Sequence, residues 1–226
     1  MKKKIFLSVV FVFLVLAFCG LVSASNNNIQ QISVSYNGSL PDGDSFSPAI
    51  SADGRYVVFS SQGTNLVNDD DNNCSDVFIH DTLLNFTERV SISTQGSQAN
   101  GDSFSPAVSG DGRYVTFTSY ATNLVANDSN DCADIFIRDR LLKTTNRISI
   151  SNNGEESNAD SFGSEISANG DFVAFCSYAS NLVDNDENDY SDVFVYDRTQ
   201  KRIKRISISN TGEESNSDSL YPDISG

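Results

Sequence analysis

Short apolar runs separated by polar loops recur along the chain at a fixed interval. The stretch SFSPAISADGRYVVFSS, which begins at Ser45, returns as SFSPAVSGDGRYVTFTS at Ser103 and as SFGSEISANGDFVAFCS at Ser161. A shortened copy, SLYPDISG, begins at Ser219, so each copy starts 58 residues after the one before it. A fixed period of this size is typical of propellers, solenoids and other repeat architectures.

Each repeat contains four runs with the composition of β-strands. In the first repeat these runs are residues 46–51, 55–61, 76–81 and 88–93. The first two are joined by Ala52-Asp53-Gly54, and Asp-Gly between strand-like runs indicates a hairpin turn because glycine accepts a positive φ. Val57 to Phe59 and Val77 to Ile79 are apolar at successive positions, which predicts strands buried on both faces. After residue 24, no apolar 3.6-residue period long enough for a helix is present.

We therefore predict an all-β fold, a β-propeller of four-stranded antiparallel blades. Residues 25–226 form an incomplete propeller in this interpretation, with three full blades and partial terminal strands. The predicted blades are residues 45–93, 103–151 and 161–209, with a partial repeat at 219–226 and a closing strand at 29–35. A β-sandwich is the competing fold, but it does not predict an ungapped internal repeat. The last copy stops where its hairpin turn should begin, so we expect a fragment of a longer protein.

Two of the copies share a Ser-Pro followed by a Ser-x-Asp-Gly turn and an apolar strand. These are Ser47-Pro48 with Ser51 to Gly54, and Ser105-Pro106 with Ser109 to Gly112; the third copy has Gly163-Ser164 and Asn169-Gly170 instead. This pattern resembles the TolB-type or tricorn-type WD-like β-propeller repeat. The resemblance covers nearly all of the chain after residue 24. It implies the propeller fold and says little about activity, because one fold hosts many functions.

The N-terminal residues predict export from the cytoplasm. Three lysines at residues 2–4 precede an apolar run from Ile5 to Phe18 and a small-residue site that ends at Ala24. This is the pattern of a secretory signal peptide, here residues 1–24, and an uncleaved membrane anchor is the alternative. We expect an extracytoplasmic protein, at the cell surface, in the periplasm or secreted, with no membrane span after cleavage.

The charge of the chain limits its partners. The 15 Lys and Arg residues face 30 Asp and Glu residues, a formal charge of −15, which becomes more negative when the lysines of residues 2–4 are removed. Nucleic acid is excluded as an expected partner, because phosphate contacts need a basic face. The acids favour solubility, divalent cations or basic partners.

The cysteines predict no disulfide framework. Cys74 and Cys132 occupy the same position in consecutive repeats, which should lie about 10 Å or more apart. A disulfide requires Cα atoms within about 7 Å. Cys176, on a predicted strand, is expected to be a small buried residue.

An Asn-rich and Asp-rich loop before the third strand is the candidate metal site. In each copy an acidic residue is followed by Asn two residues later and by Asp six residues later. Ca²⁺ prefers several oxygen ligands, and alternate loop residues can turn oxygens to one centre. The competing interpretation is that Asn and Asp only form turns. The candidate calcium ligands are Asp70, Asn72 and Asp76, then Asp128, Asn130 and Asp134, then Asp186, Asn188 and Asp192.

A second repeated set is an arginine that opens the fourth strand and an aspartate that closes the third. We expect these residues to form an ion pair within the blade or hydrogen bonds to a turn. The arginines are Arg89, Arg147 and Arg205, and the aspartates are Asp81, Asp139 and Asp197.

Catalysis has little support in the sequence. His80 is the single histidine, and Arg138 and Tyr196 stand at its equivalent positions, so we expect a surface residue. No nucleophile elbow, zinc-protease motif or phosphate-binding loop is present. We therefore expect a non-enzymatic binding or scaffold module with a protein or cell-envelope partner. One alternative is the N-terminal propeller of a peptidase-like hydrolase whose catalytic domain lies beyond residue 226, and another is a repeat array that leads to a surface anchor.

Overall fold

Three four-stranded antiparallel sheets make up the computed structural model, which describes residues 29–225. Within this range no helix is long and apolar enough to cross a membrane, and the predicted signal peptide lies outside it. Each sheet follows chain order, so each is one blade of an all-β propeller, as the repeat predicts. Blade 1 contains β1 Ser45–Ile50, β2 Tyr56–Ser61, β3 Asp76–Asp81 and β4 Phe86–Arg89. Blade 2 contains β5 Ser103–Val108, β6 Tyr114–Ser119, β7 Asp134–Asp139 and β8 Thr144–Arg147. Blade 3 contains β9 Ser161–Ile166, β10 Phe172–Ser177, β11 Asp192–Asp197 and β12 Arg202–Arg205.

The core lies between neighbouring blades. Every residue of β3, β6 and β7 is buried, which confirms that the middle strands are covered on both faces. Strand β5 packs against the face of β2, and β9 packs against β6. At the centre of each blade two phenylalanines from the second and third strands stack with ring centroids 5.8 Å apart, an arrangement that adds to the burial of their apolar area. These pairs are Phe59 with Phe78, Phe117 with Phe136, and Phe175 with Phe194.

A bulge in the first strand explains why the third copy departs from Ser-Pro. The pairing of β1 with β2 shifts between Phe46 and Ala49, and β5 and β9 shift at the same place. Ser47 and Ser105 lie at the bulge with φ of 51° and 50°, and Gly163 replaces them with φ of 64°. Glycine adopts a positive φ without the steric cost of a Cβ atom. The substitution therefore suits the backbone of this position.

The fourth strand begins earlier than the sequence predicts. We expected residues 88–93, whereas β4 is Phe86–Arg89. The Asp81 carboxylate accepts hydrogen bonds from the backbone N–H groups of Leu83 and Leu84, at 2.9 and 3.0 Å, and so closes a tight turn directly after β3. Such side-chain bonds to nearby backbone favour turns. The chain can therefore pair with β3 two residues sooner.

The predicted closing strand at residues 29–35 is not a strand in the structure. Its equivalents in the later repeats are β4, β8 and β12, which pair with β3, β7 and β11. Within residues 29–225 no strand precedes β1, so residues 29–31 have no preceding third strand with which to pair. A strand needs a partner for its backbone groups. At the other end the Ser219 N–H donates to Ser191 O at 2.7 Å, as Ser161 N–H does to Ala133 O at 2.8 Å, so the shortened copy begins like the full ones.

Candidate functional site

A buried arginine collects the carboxylates of the Asn-Asp loop in each blade. In blade 2, Arg147 Nη1 donates to Asp128 Oδ1 at 2.9 Å and to Asp134 Oδ2 at 3.0 Å, and its Nη2 donates to Glu156 Oε1 at 2.7 Å. The side chain of Arg147 is 6% exposed. We call this group an arginine cluster. Because buried charges are expensive unless paired, its geometry indicates a structural role.

The other two blades contain the same cluster with one difference. Arg205 Nη1 lies 2.9 Å from Asp186, 3.2 Å from Asp192 and 2.8 Å from Glu214. In blade 1, Arg89 Nη1 lies 2.9 Å from Asp70 and 3.0 Å from Asp76, and the third acceptor is the amide oxygen of Gln98, at 3.0 Å. The cluster of blade 1 therefore has one negative charge fewer than the other two.

The asparagines of the predicted calcium set anchor the loop to the same cluster. Asn72 Nδ2 donates to Asp76 Oδ2 at 2.9 Å and to Ala99 O at 3.0 Å, while its Oδ1 accepts from the Cys74 N–H. Asn130 and Asn188 make the equivalent bonds to their aspartates, at 3.1 and 3.2 Å. These asparagines thus turn a nitrogen, not an oxygen, toward the carboxylates.

The structure brings each predicted calcium set together, and a guanidinium lies among its carboxylates. No group of three or more His, Cys, Asp or Glu side chains within residues 29–225 is arranged to hold a metal ion. Calcium binding by these loops stays a prediction. The loop aspartates and asparagines were found from the sequence, but the arginine that joins them was assigned to a different partner.

Burial alters the proton affinity of the first carboxylate in each cluster. It raises the pKa of Asp70, Asp128 and Asp186 to about 6, and the attraction of the neighbouring arginine offsets this only in part. Desolvation disfavours the charged form of a carboxyl group. These three groups therefore titrate in mildly acidic solution.

Arg89 does not pair with Asp81, so the first of the two predicted roles is wrong, but the aspartates do form the predicted hydrogen bonds to a turn. Asp81 instead pairs with Arg55, whose Nη2 lies 2.7 Å from Asp81 Oδ2, and the bidentate contact lowers the pKa of Asp81 to about 2. Asp139 pairs with Arg113 in the same way, whereas Asp197 caps its turn through Thr199 and Gln200. Register explains the error, because Phe78, not Asp81, lies opposite Arg89 in the sheet.

A tyrosine between two arginines joins neighbouring blades, a contact that we did not predict. The Arg55 guanidinium lies 4.8 Å from the Tyr56 ring centre, and Arg140 of blade 2 lies 5.1 Å from it. Arg140 also donates to Glu88 and to Gly112 O, both at 2.6 Å. Such cation–π contacts stabilise the pair of blades. We call this arrangement the tyrosine clasp; Tyr114 forms a second one with Arg113 and Arg198. The Arg-Tyr dipeptide after two of the Asp-Gly turns was its signal in the sequence.

His80 is buried, so the prediction of a surface residue is wrong. Its side chain points to the face of β3 that carries Phe78, and the residue is 1% exposed. Nδ1 lies 2.9 Å from Thr87 Oγ1, while Nε2 is buried and has no hydrogen-bond partner within residues 29–225. Burial lowers the pKa of the ring, so His80 is neutral at neutral pH. It lines a cavity of about 620 Å³.

Exposed leucines stand at the turns after β3 and β7. Leu83 and Leu84 are 73% and 66% exposed, and Leu141 and Leu142 are 70% and 64% exposed. Blade 3 has Thr199 and Gln200 at these positions. We call the first two pairs the leucine turns. The turn geometry does not require leucine, because the third copy forms the same turn with polar residues.

Cys74, Cys132 and Cys176 are free thiols in the structure. Cys176 is buried in β10, as predicted. Cys74 and Cys132 each lie two residues after the anchoring asparagine of their loop and are partly exposed.

Several solved structures are similar to this chain over part of their length. No protein-family model and no curated protein matches it. TolB from Acinetobacter baumannii is 17% identical with a TM-score of 0.46, over 78% of this chain and 34% of that one. A putative TolB from Agrobacterium tumefaciens is 19% identical with a TM-score of 0.47, over 72% and 48%. The tricorn protease is 14% identical with a TM-score of 0.43, over 80% and 16%.

This chain thus spans about a third to a half of the TolB chains that it matches. The TolB-type and tricorn-type propellers named from the sequence pattern are found again among these structures. The assignment of the propeller fold rests on the three stacked sheets of the chain itself.

Proposed function

We propose that the chain is a secreted or cell-surface propeller module that binds another protein and catalyses no reaction itself. The observation that carries this proposal is the pair of leucine turns. Four leucines, each at least 64% exposed, stand on two neighbouring blades. Contiguous exposed apolar side chains mark interaction surfaces in soluble proteins.

The leucine turns are held rigidly, which favours recognition. The Asp81 carboxylate binds both Leu83 N and Leu84 N and is itself held by Arg55 at 2.7 Å. Asp139 and Arg113 hold the second turn in the same way. A surface that is already ordered loses little conformational entropy on binding.

An ion pair also links the hairpins that carry the two turns. Arg140, which precedes Leu141, reaches blade 1 and donates to Glu88 at 2.6 Å. The partner that fits this surface is a protein with an apolar patch, and basic groups around that patch would complement the acidic chain. The predicted signal peptide supports the extracytoplasmic location in this proposal.

The test compares capture of envelope or secreted proteins by the chain and by a variant with Leu83, Leu84, Leu141 and Leu142 changed to Ser. Leu40→Ser, which alters a leucine that is 73% exposed elsewhere, is the matched control. We expect one species to bind the chain and the control, and this species, once purified, to bind the quadruple variant at least about tenfold more weakly. Equal binding to the quadruple variant contradicts the leucine surface, and hydrolysis of peptides by the chain alone contradicts the non-enzymatic assignment.

A further inference from the structure

The cavity beside His80 lies where the next repeat places the head of an arginine. It is bounded by residues 34–38 on one side and by the β3–β4 hairpin on the other, with a volume of about 620 Å³. Small-molecule sites typically have volumes of about 300–1,000 Å³. Its walls include Val34, Tyr36, Leu66, His80, Phe86 and Glu88.

In blade 2 the equivalent of His80 is Arg138, and one nitrogen of its guanidinium makes three hydrogen bonds. Arg138 Nη1 donates to Ser93 O at 3.3 Å, to Lys143 O at 3.0 Å and to Thr145 Oγ1 at 3.0 Å. The residue is 6% exposed, so these acceptors hold a buried cation. A guanidinium has several donors in a fixed plane, which suits a set of converging oxygens.

The same three acceptors exist in blade 1. The equivalent positions lie 58 residues earlier in the chain, so Ser35, Asn85 and Thr87 correspond to Ser93, Lys143 and Thr145. The backbone follows the repeat, since the N–H of Gly38 bonds to Ser35 O as the N–H of Gly96 does to Ser93 O. Asn85 has φ of 50° where Lys143 has 57°. Blade 1 therefore has the acceptors of this pocket, but its own side chain there is a shorter imidazole.

His80 adds a fourth polar group to these acceptors. When Nδ1 carries the proton and donates to Thr87 Oγ1, Nε2 is an acceptor, and this atom is buried without a partner within residues 29–225. A buried polar atom without a partner is costly, and a ligand N–H would satisfy it. Val34, Leu66 and Phe86 offer apolar contact to an aliphatic stem.

We propose that the His80 cavity binds a guanidinium group on a short aliphatic stem, as found in an arginine side chain or a small alkylguanidine. In blade 2 the protein supplies this group from its own Arg138, and in blade 1 it accepts the group from outside. The cavity lining does not include Leu83 or Leu84, although these leucines lie at the turn of the same hairpin. The proposal does not depend on a partner binding to the leucine turns.

The test uses the single histidine of the chain as its reporter. The purified chain, without a histidine tag and in about 0.15 M salt to screen surface charge, is titrated with N-acetyl-argininamide while the imidazole signals are followed by NMR. N-acetyl-citrullinamide, which has the same shape without the charge, is the matched control. We expect a saturable shift with the arginine compound and none with the citrulline compound. No shift with either compound, or equal shifts with both, overturns the proposal.

Two variants locate the site by calorimetry. His80→Arg supplies its own guanidinium, so it should stay folded and bind N-acetyl-argininamide at least tenfold more weakly. Arg138→His should create a second cavity in blade 2 and raise the stoichiometry from one to two. Unchanged binding of N-acetyl-argininamide by folded His80→Arg overturns the proposal. This criterion holds even when Arg138→His does not fold. An arginine-containing peptide that binds more tightly than the small compound identifies a polypeptide ligand, and equal affinities identify a free guanidine; either result supports the site.

Discussion

The arginine clusters and the end of the third strand that carries His80 lie in the same blades, but they differ in whether their residues recur in every repeat. Every cluster contains an arginine, two aspartates and an anchoring asparagine with nearly the same distances. At the position of His80, by contrast, the three blades carry histidine, arginine and tyrosine, and the turn beyond it carries Leu-Leu twice and Thr-Gln once.

This difference separates the parts that hold the blade from the parts that present a surface. A residue needed to close each loop must recur in every repeat, because each repeat has the same structure and packs against its neighbours in the same way. A residue that recognises a partner need occur only where the partner binds. The clusters fit the first description, and the His80 cavity and the leucine turns fit the second.

The largest expected effect comes from removing the centre of a cluster. Arg147→Ala leaves Asp128, Asp134 and Glu156 close together and unpaired, and we expect it to lower the free energy of unfolding by about 3–5 kcal/mol. Urea denaturation measures this change. Arg202→Ala, at an exposed site in blade 3, is the control and should cost less than about 0.5 kcal/mol. Equal small effects of both substitutions would show that the clusters do not hold the blades.

A second substitution tests the tyrosine clasp. Gly112 has φ of +69°, and a Cβ atom there would overlap the Tyr56 ring. Gly154 has φ of +87° with open space around it. Both Gly→Ala changes strain the backbone, so the extra cost of Gly112→Ala, about 1–3 kcal/mol in thermal or urea unfolding, measures the overlap with the ring. Equal costs would mean that the clasp does not restrict this turn.

The clusters also predict how stability depends on pH. The pKa of Asp70, Asp128 and Asp186 is raised to about 6 from a usual value of 3.8, so the folded chain holds these protons more tightly than the unfolded chain. Their contribution to stability is therefore present below about pH 4 and is lost as the pH rises through 6. We expect the melting temperature to rise between pH 7 and pH 5, and Asp186→Asn to weaken that rise. The lowered pKa of buried His80 acts in the opposite direction over part of this range. The decisive comparison is therefore with the variant, and an equal pH dependence of the melting temperature in the chain and in Asp186→Asn contradicts the raised pKa of the cluster.

Asp81 should act in the opposite direction in more acidic solution. Arg55 lowers its pKa to about 2, so its contribution is lost as the pH falls from about 4 toward 2. Asp81→Asn should reduce the acid sensitivity that appears in this lower window.

Calcium should have the smallest effect. If the loops bind Ca²⁺ weakly, the melting temperature in millimolar calcium should exceed that in EDTA by a few degrees, because a ligand that binds only the folded state stabilises it. Arg147→Met should enlarge this difference if the ion occupies the place of the guanidinium. Identical melting curves in calcium and in EDTA would end the calcium hypothesis.

The repeat made most of the fold predictable, whereas side-chain partners depended on register. The strand at residues 76–81 was predicted to the residue, because its apolar core and flanking aspartates recur at 58-residue spacing. The predicted fourth strand started two residues too late and ended four residues too late, since the turn that Asp81 closes is a three-dimensional contact. Arg89 was given the wrong aspartate because its partners lie 13 and 19 residues back, across a loop of unknown path.

His80 shows where a single sequence misleads about burial. Because His80 does not recur, we assigned it to the surface, yet the alternation of β3 places it on the same face as Phe78. The pattern of alternate residues could have predicted its burial. The cavity beside it could be inferred only by comparing the short side chain of His80 with the longer one of Arg138 at the equivalent position.

A double-mutant cycle on Arg147 and Asp128 tests most directly whether the clusters hold the blades. The free energy of unfolding is measured by urea denaturation for the chain, Arg147→Met, Asp128→Asn and the double variant. We expect the double variant to be more stable than the sum of the single changes implies, with a coupling of about 0.5–3 kcal/mol, because Asp128→Asn removes a buried charge that Arg147→Met leaves unpaired. Additive effects of the two changes would contradict the account.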